Sequence, residues 1–195
     1  VLLESRAIDQ THILVGFHGI DAFSLHRWAA DMLASVLGGS WSSRMFMRVR
    51  DELGLAYAIY TDSAEYSTRG YLVTYAGVAH SSAQKAIDAI LEEYRRIREE
   101  LVLPEELSRT KEFLKARMLM ALETSNAVAS FIGGEEMLTR EPMTAEAIFA
   151  KIDAVSANDV REAAAEICKA DALNLAVISP EKNDALFRES LERFR

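Results

Sequence analysis

The sequence predicts an α+β fold: an antiparallel sheet covered on one face by helices. Segments with two-residue apolar alternation are grouped, falling near residues 11–17, 55–79 and 173–178. Helix-period segments fill most of the remainder, and the two kinds do not alternate regularly as a parallel βαβ chain would require.

The first strand runs from Thr11 to Phe17, with Thr11, Ile13, Val15 and Phe17 on one side and His12, Leu14 and Gly16 on the other. From Ser24 the period becomes helical, with Leu25, Trp28, Met32, Leu33 and Val36 three or four residues apart. Gly38-Gly39 reads as the stop of that helix. Ser42-Ser43 can cap a shorter helix to about Leu53, closed by Gly54. Two strands follow, Leu55 to about Asp62 and Gly70 to about Ala79, joined by a polar turn. Ser82–Leu101 is an amphipathic helix with Ala86, Ile90, Tyr94 and Ile97 facing inward. Pro104 suits the first turn of the next helix, which reaches about Glu123. Further helices are predicted at 126–139, 145–154 and 157–169, the last opened by a capping-box variant at Ser156 and Asp159. Leu173–Ile178 is a final apolar strand, and a short charged helix closes the chain.

With 195 residues, the chain reads as one domain, with residues 1–9 a linker or a strand from a missing upstream domain. The net charge of −8, with basic residues interleaved among acidic ones, argues against nucleic-acid binding, which needs clustered Lys and Arg facing phosphates. No apolar run is long enough to suggest a membrane span. Cys168 is the only cysteine, so neither an internal disulfide nor a cysteine-based zinc cluster can form.

The stretch from Leu37 to Tyr57 carries the chemistry. On a helix at about 100° per residue, Met45, Phe46, Val49 and Leu53 fill an apolar arc, while Arg44, Arg48 and Asp51 face solvent. Arg50 sits at the edge of the apolar arc between Phe46 and Met47. Its stem can pack there while its guanidinium reaches along a surface or into a cleft. Tyr57 follows seven residues later on a strand, where parity puts it with Leu55 and Ile59. An Arg fork beside a phenol can hold a peptide carbonyl or the oxyanion that develops from it. The same residues also fit a surface ion pair and a half-buried tyrosine.

In order along the chain stand Gln10–Phe17, Leu37-Gly38-Gly39, Ser42–Phe46, Val49–Tyr57, Gly70-Tyr71, Tyr75-Ala76-Gly77, the Pro104–Leu107 helix start with Lys111, Ile152–Val160 and Leu173–Pro180. This ordered series resembles the C-terminal domain of M16 (pitrilysin/insulinase-like) zinc peptidases. The resemblance implies two related α+β domains facing one another around a closed chamber. It assigns the zinc, held by a His-x-x-Glu-His motif plus a later Glu, to an N-terminal domain or partner subunit. Carried over, Tyr57 donates to the scissile carbonyl oxygen and Arg50 orients the peptide substrate or that tyrosine. Gly38, Gly39 and Ser40 correspond to a glycine-rich substrate-binding loop, although Trp41 follows where a smaller residue is usual.

The histidines, His12, His18, His26 and His80, form no such zinc motif. His12 and His18 lie about 20 Å apart on an extended strand, too far to share a metal. The expectation is that this chain binds no catalytic zinc and supplies the substrate-binding half of an endopeptidase. The alternative is a non-catalytic M16-like scaffold or assembly subunit. A surface built to meet a partner domain also makes a homo-oligomer an expectation. The Met118–Met120 cluster reads as core, Cys168 as a buried hydrophobe, and the Glu92–Glu100 charges as a solvated helix face.

Overall fold

The computed structural model describes residues 1–194. Its sheet has five strands, β1 (Leu2–Ser5), β2 (Thr11–Gly19), β3 (Ala56–Glu65), β4 (Gly70–Val78) and β5 (Leu173–Ser179), in the order β1-β5-β2-β4-β3. Pairing is antiparallel except between β1 and β5, which run parallel. The segment expected to be a linker or another domain's strand therefore supplies an edge of this sheet. Its partner lies more than 170 residues away in sequence, and no local pattern announces so distant a pairing.

The helices are α1 (Arg27–Gly38), α2 (Ala83–Glu99), α3 (Pro104–Ala121), α4 (Ser125–Thr139), α5 (Ala145–Ala154), α6 (Ala157–Ile167) and α7 (Ala185–Phe194). One sheet face sends Thr11, Ile13, Val15 and Phe17 into a core with Leu72, Ala76, Val78, Leu175 and Val177. Helices α1, α2 and α6 cover that face with Met32, Leu33, Leu37, Ile87, Ile90, Val160 and Ala163. Tyr94 is fully buried there, and its hydroxyl meets the Thr74 hydroxyl at 2.7 Å, which in turn meets that of Thr61 at 2.8 Å. This chain of hydroxyls satisfies polar groups that would otherwise be stranded in the core and ties α2 to β4 and β3. Among the described residues no helix layer covers the opposite face, where His12, Leu14 and Tyr75 are partly or fully exposed.

Local capping follows the sequence closely. Pro104 opens α3, and Ser156 and Asp159 exchange both hydrogen bonds of the capping box. Helix α1 begins at Arg27, later than its period suggested, because Ser24 is engaged in a turn and Leu25 is left 98% exposed. Leu119 and Met120 are exposed rather than core, since the following helix α4 has no fully buried residue to cover them. Nor is the α2 charge row uniformly solvated: Glu93 is buried and held by Arg96 at 3.1 Å.

Beside β3, burial raises the Asp31 carboxyl to about 6. Burial, with the Asp31 charge next to it, raises Glu65 to about 7. Both folded values lie above the unfolded ones, so the native state holds protons that the unfolded chain has released. The stability from this pair is complete below about pH 4 and is lost as pH rises through 6 and 7. Urea unfolding should therefore give a midpoint that falls between pH 5 and 7.5, and Asp31→Asn should flatten the fall.

Candidate substrate-binding site

The site begins where α1 ends. Gly38 is the last helical residue and is buried against β3; a Cβ on it would overlap the Thr61 amide and hydroxyl and lie 2.6 Å from Thr61 Cβ. Gly39 keeps right-handed helical angles, φ −78° and ψ −18°. The glycine pair thus forms the end of a helix rather than a loop, and its lack of side chains lets α1 approach β3 closely. Ser40 follows in a short turn, in which its carbonyl accepts a 2.6 Å hydrogen bond from the Ser43 hydroxyl. Ser43 is spent on that bond and does not cap the next helix. Trp41 stands 82% exposed beside it.

Residues Phe46–Glu52 form a wide, π-type helix, closed by a hydrogen bond from Leu53 N to the Arg48 carbonyl at 3.2 Å. Such wide turns concentrate at functional positions. Met45 and Val49 are buried beneath it, as the apolar arc predicted, but Leu53 is 41% exposed. Arg44, expected to face solvent, is instead turned against α3, where its Nε and Nη2 donate to Glu106 at 2.8 Å each. Only long-range packing between this helix and α3 could reveal that fork-to-carboxylate pair. Arg48 does remain at the surface, paired with Glu52.

Arg50 lies within this π-type helix. Its guanidinium lies 4.8 Å from the centre of the Phe46 ring, and the residue remains exposed. The aromatic face steers the cation without consuming its donors. Gly54 then turns the chain with φ +60°, in the left-handed region that favours glycine, and Leu55 N bonds the Val49 carbonyl at 2.9 Å. The tyrosine strand is thereby anchored directly to the arginine helix.

Tyr57 departs from simple strand parity. The register steps from Ala56↔Val78 to Ala58↔Gly77, so Tyr57 is the extra residue of a β-bulge. Ala56, Ile59 and Thr61 point into the core, while Tyr57 and Ala58 are both exposed. The expectation that Tyr57 shares a face with Ile59 is therefore corrected: the bulge turns its phenol to the open face, 59% exposed. Bulges re-aim single side chains in this way. The opposing Gly77 is buried, and a Cβ on it would meet the Tyr75 hydroxyl at 3.1 Å.

The open face also carries an aromatic row that the sequence reading did not single out. Tyr60 pairs with Tyr75 across the strands with ring centres 5.1 Å apart, and Tyr75 Oη meets His12 Nδ1 at 2.8 Å. His80 is occupied by the Thr11 hydroxyl and the Ile8 carbonyl, and His26 by Glu166. Among the described residues no three His, Cys, Asp or Glu side chains are grouped to hold a metal ion. The residues present do not fit a zinc site.

The profile of the peptidase M16 inactive domain matches residues 1–114. The chain belongs to the M16 peptidase family. An uncharacterized zinc protease, YmxG, of Bacillus subtilis is 31% identical over 93% of this chain and 44% of its own length. The M16 domain described here thus spans less than half of that curated relative. The solved peptidase M16 inactive domain from Pseudomonas fluorescens superposes with a TM-score of 0.81 at 18% identity, over 92% of this chain and 43% of that one. A chain of complex III2 from Candida albicans superposes at 0.86 with 19% identity, over 99% of this chain and 48% of that one. Both structures share the fold with this M16 domain.

Proposed function

We propose that this M16 domain is the substrate-binding half of a zinc-dependent endopeptidase, completed by a His-x-x-Glu-His domain upstream on the same chain or on a partner subunit. The observation that carries the reading is the bulge at Tyr57. It presents a phenol with no hydrogen-bond partner among the described residues on the open face, joined through Gly54 to the helix that holds Arg50. In this reading Tyr57 donates its hydroxyl hydrogen to the scissile carbonyl oxygen as negative charge gathers there. Arg50 binds a neighbouring peptide carbonyl with donors that Phe46 leaves free. Ser40, half-buried just past the end of α1, belongs to the substrate-binding rim. Gly38 and Gly39 serve that rim by fixing where it sits. The hydrolytic metal chemistry belongs to the complementary domain, in keeping with the zinc-protease names of the relatives.

A second reading is a non-catalytic scaffold subunit, favoured by the superposition on a chain of complex III2. Zinc content and peptide cleavage separate the two, measured on this domain alone and on its assembly with the His-x-x-Glu-His domain. The peptidase reading expects neither from the domain alone, and both from the assembly with about one zinc per site. An assembly that cleaves no peptide supports the scaffold. Zinc and cleavage from the lone domain overturn both readings.

A further inference from the structure

A cleft of about 310 Å³ lies between α1, the edge strand β3 and the helices α3, α4 and α5. Trp28, Leu114, Met118, Phe131, Ile148 and Ile152 give it apolar walls, and Asp31 and Ser63 line it where α1 meets β3. One wall is propped rather than packed. Helix α4 has no fully buried residue, and a Cβ added at Gly133 or Gly134 would meet nothing within 4 Å. What ties α4 to α1 here is an ion pair: Arg27 Nη2 donates to Glu135 at 2.9 Å, and both side chains are largely buried. The Arg27 guanidinium also lies 5.0 Å from the centre of the Trp28 ring.

Asp31 is the charged group of this cleft with the weakest compensation. It makes no ion pair among the described residues, and its hydrogen bond from the Ser63 hydroxyl is long, at 3.4 Å. Burial raises its carboxyl to about 6, and that of neighbouring Glu65 to about 7. The charges that act on the two are Arg27 and Asp62, with Arg117 adding to Asp31. Arg27 is committed to Glu135, so Asp31, Asp62 and Glu65 stand against Arg117. A carboxylate kept among apolar side chains with so little compensation costs free energy, and a cation brought to it recovers that cost. A metal ion is poorly suited: among the described residues no three His, Cys, Asp or Glu side chains are grouped to ligate one, and apolar walls offer nothing to its water shell. Those walls suit a hydrocarbon body instead, and the volume of about 310 Å³ is that of a small-ligand pocket.

We propose that this cleft binds an organic cation, an ammonium or guanidinium group on an apolar body, with the cation on Asp31 and the body against Trp28, Met118 and Phe131. The site stands apart from the peptidase reading. It uses neither Arg50 nor Tyr57, and every wall comes from this domain's own helices and edge strand. A free amine and a lysine side chain present the same chemistry to it. The sign of the pH dependence follows from the charges. A cation beside Asp31 and Glu65 favours their ionised forms, so its binding expels protons that they hold near pH 6. Affinity therefore rises from pH 5 to 7.5 as the two carboxyls ionise.

The test is isothermal titration calorimetry of the full-length protein with 2-phenylethylamine and with its uncharged counterpart, 2-phenylethanol. At pH 7 the amine should bind about ten- to hundredfold more tightly, the range for a hydrogen bond to a charged group. At pH 6, buffers of different ionisation enthalpy should show protons released on binding. Asp31→Asn should remove the preference for the amine and lower the proton release. Ala121→Trp gives a second route, because Ala121 lines the cleft and is exposed, so a larger ring can cover the cleft without entering the core. It should abolish binding of both probes. Equal affinity for amine and alcohol overturns the proposal, and so does an amine preference that survives Asp31→Asn. If Asp31→Asn does not fold, amine binding that persists in Ala121→Trp overturns it instead. An N-acetylated peptide with a single Lys among apolar residues then distinguishes the sources. Binding of that peptide that depends on Asp31 assigns the cleft to a basic side chain, whereas binding of the free amine alone assigns it to a small organic cation.

Discussion

Tyr57→Phe in the full-length protein is expected to lower kcat by about 100- to 1000-fold, the range seen when one donor to a developing oxyanion is removed. The substitution keeps the ring and deletes only the hydroxyl. That hydroxyl has no hydrogen-bond partner among the described residues, and the side chain is 59% exposed. Folding stability should therefore stay within about 0.5 kcal/mol of the parent, as for other surface changes. The kinetic signature separates this role from simple substrate binding. A group that acts only in the transition state lowers kcat and kcat/KM together, whereas one that holds substrate and transition state equally raises KM alone. Equal falls in kcat and kcat/KM, measured with an unchanged thermal midpoint, are the expected result. An unaltered kcat would remove Tyr57 from the oxyanion role.

Much of the architecture is legible in the sequence because its determinants are local. Alternation from Thr11 to Phe17 places four side chains in the core, and the period of α2 places Ala86, Ile90, Tyr94 and Ile97 there too. Pro104 and the Ser156–Asp159 exchange mark helix starts through bonds that span three residues or fewer. What stays illegible depends on residues distant in sequence. The parallel docking of β1 on β5 and the pairing of Arg44 with Glu106 have no local signal.

The candidate site is harder still to read from its residues. Leu55, Tyr57, Ile59 and Thr61 look like one uninterrupted face, and only the register against β4 shows that a bulge removes Tyr57 from it. The π-type turn likewise depends on which carbonyl the Leu53 amide chooses, and both neighbouring choices fit the same apolar spacing. Residue type and spacing mark Arg50 and Tyr57, but their proposed roles rest on the family resemblance. What the fold adds is a physical means of presentation: an aromatic ring under the cation and a bulge under the phenol.

Gly38 provides the largest expected effect on stability. In an ordinary helix, replacing Gly by Ala gains up to about 1 kcal/mol, because Ala has less backbone freedom to lose. Gly133, inside α4 with nothing within 4 Å of a new Cβ, should show that gain. Gly38→Ala should show the opposite sign. Its Cβ would overlap the Thr61 amide, and the obstruction is backbone in a paired strand rather than the movable end of a side chain. Relief requires α1 to lift from β3, which strains the Thr61–Thr74–Tyr94 hydroxyl chain beneath. Overpacking of this kind costs about 1–3 kcal/mol, and the rigid obstruction places Gly38→Ala near the upper figure. Urea denaturation of the two variants beside the parent would read both signs at once. The catalytic consequence follows from connectivity. Gly38 and Gly39 lead through Ser40 into the helix that carries Arg50, so a displaced α1 moves the substrate rim with it. Loss of stability and loss of turnover should therefore appear together in Gly38→Ala, whereas Tyr57→Phe separates them. A Gly38→Ala protein as stable as its parent would show that α1 does not press on β3 at this point.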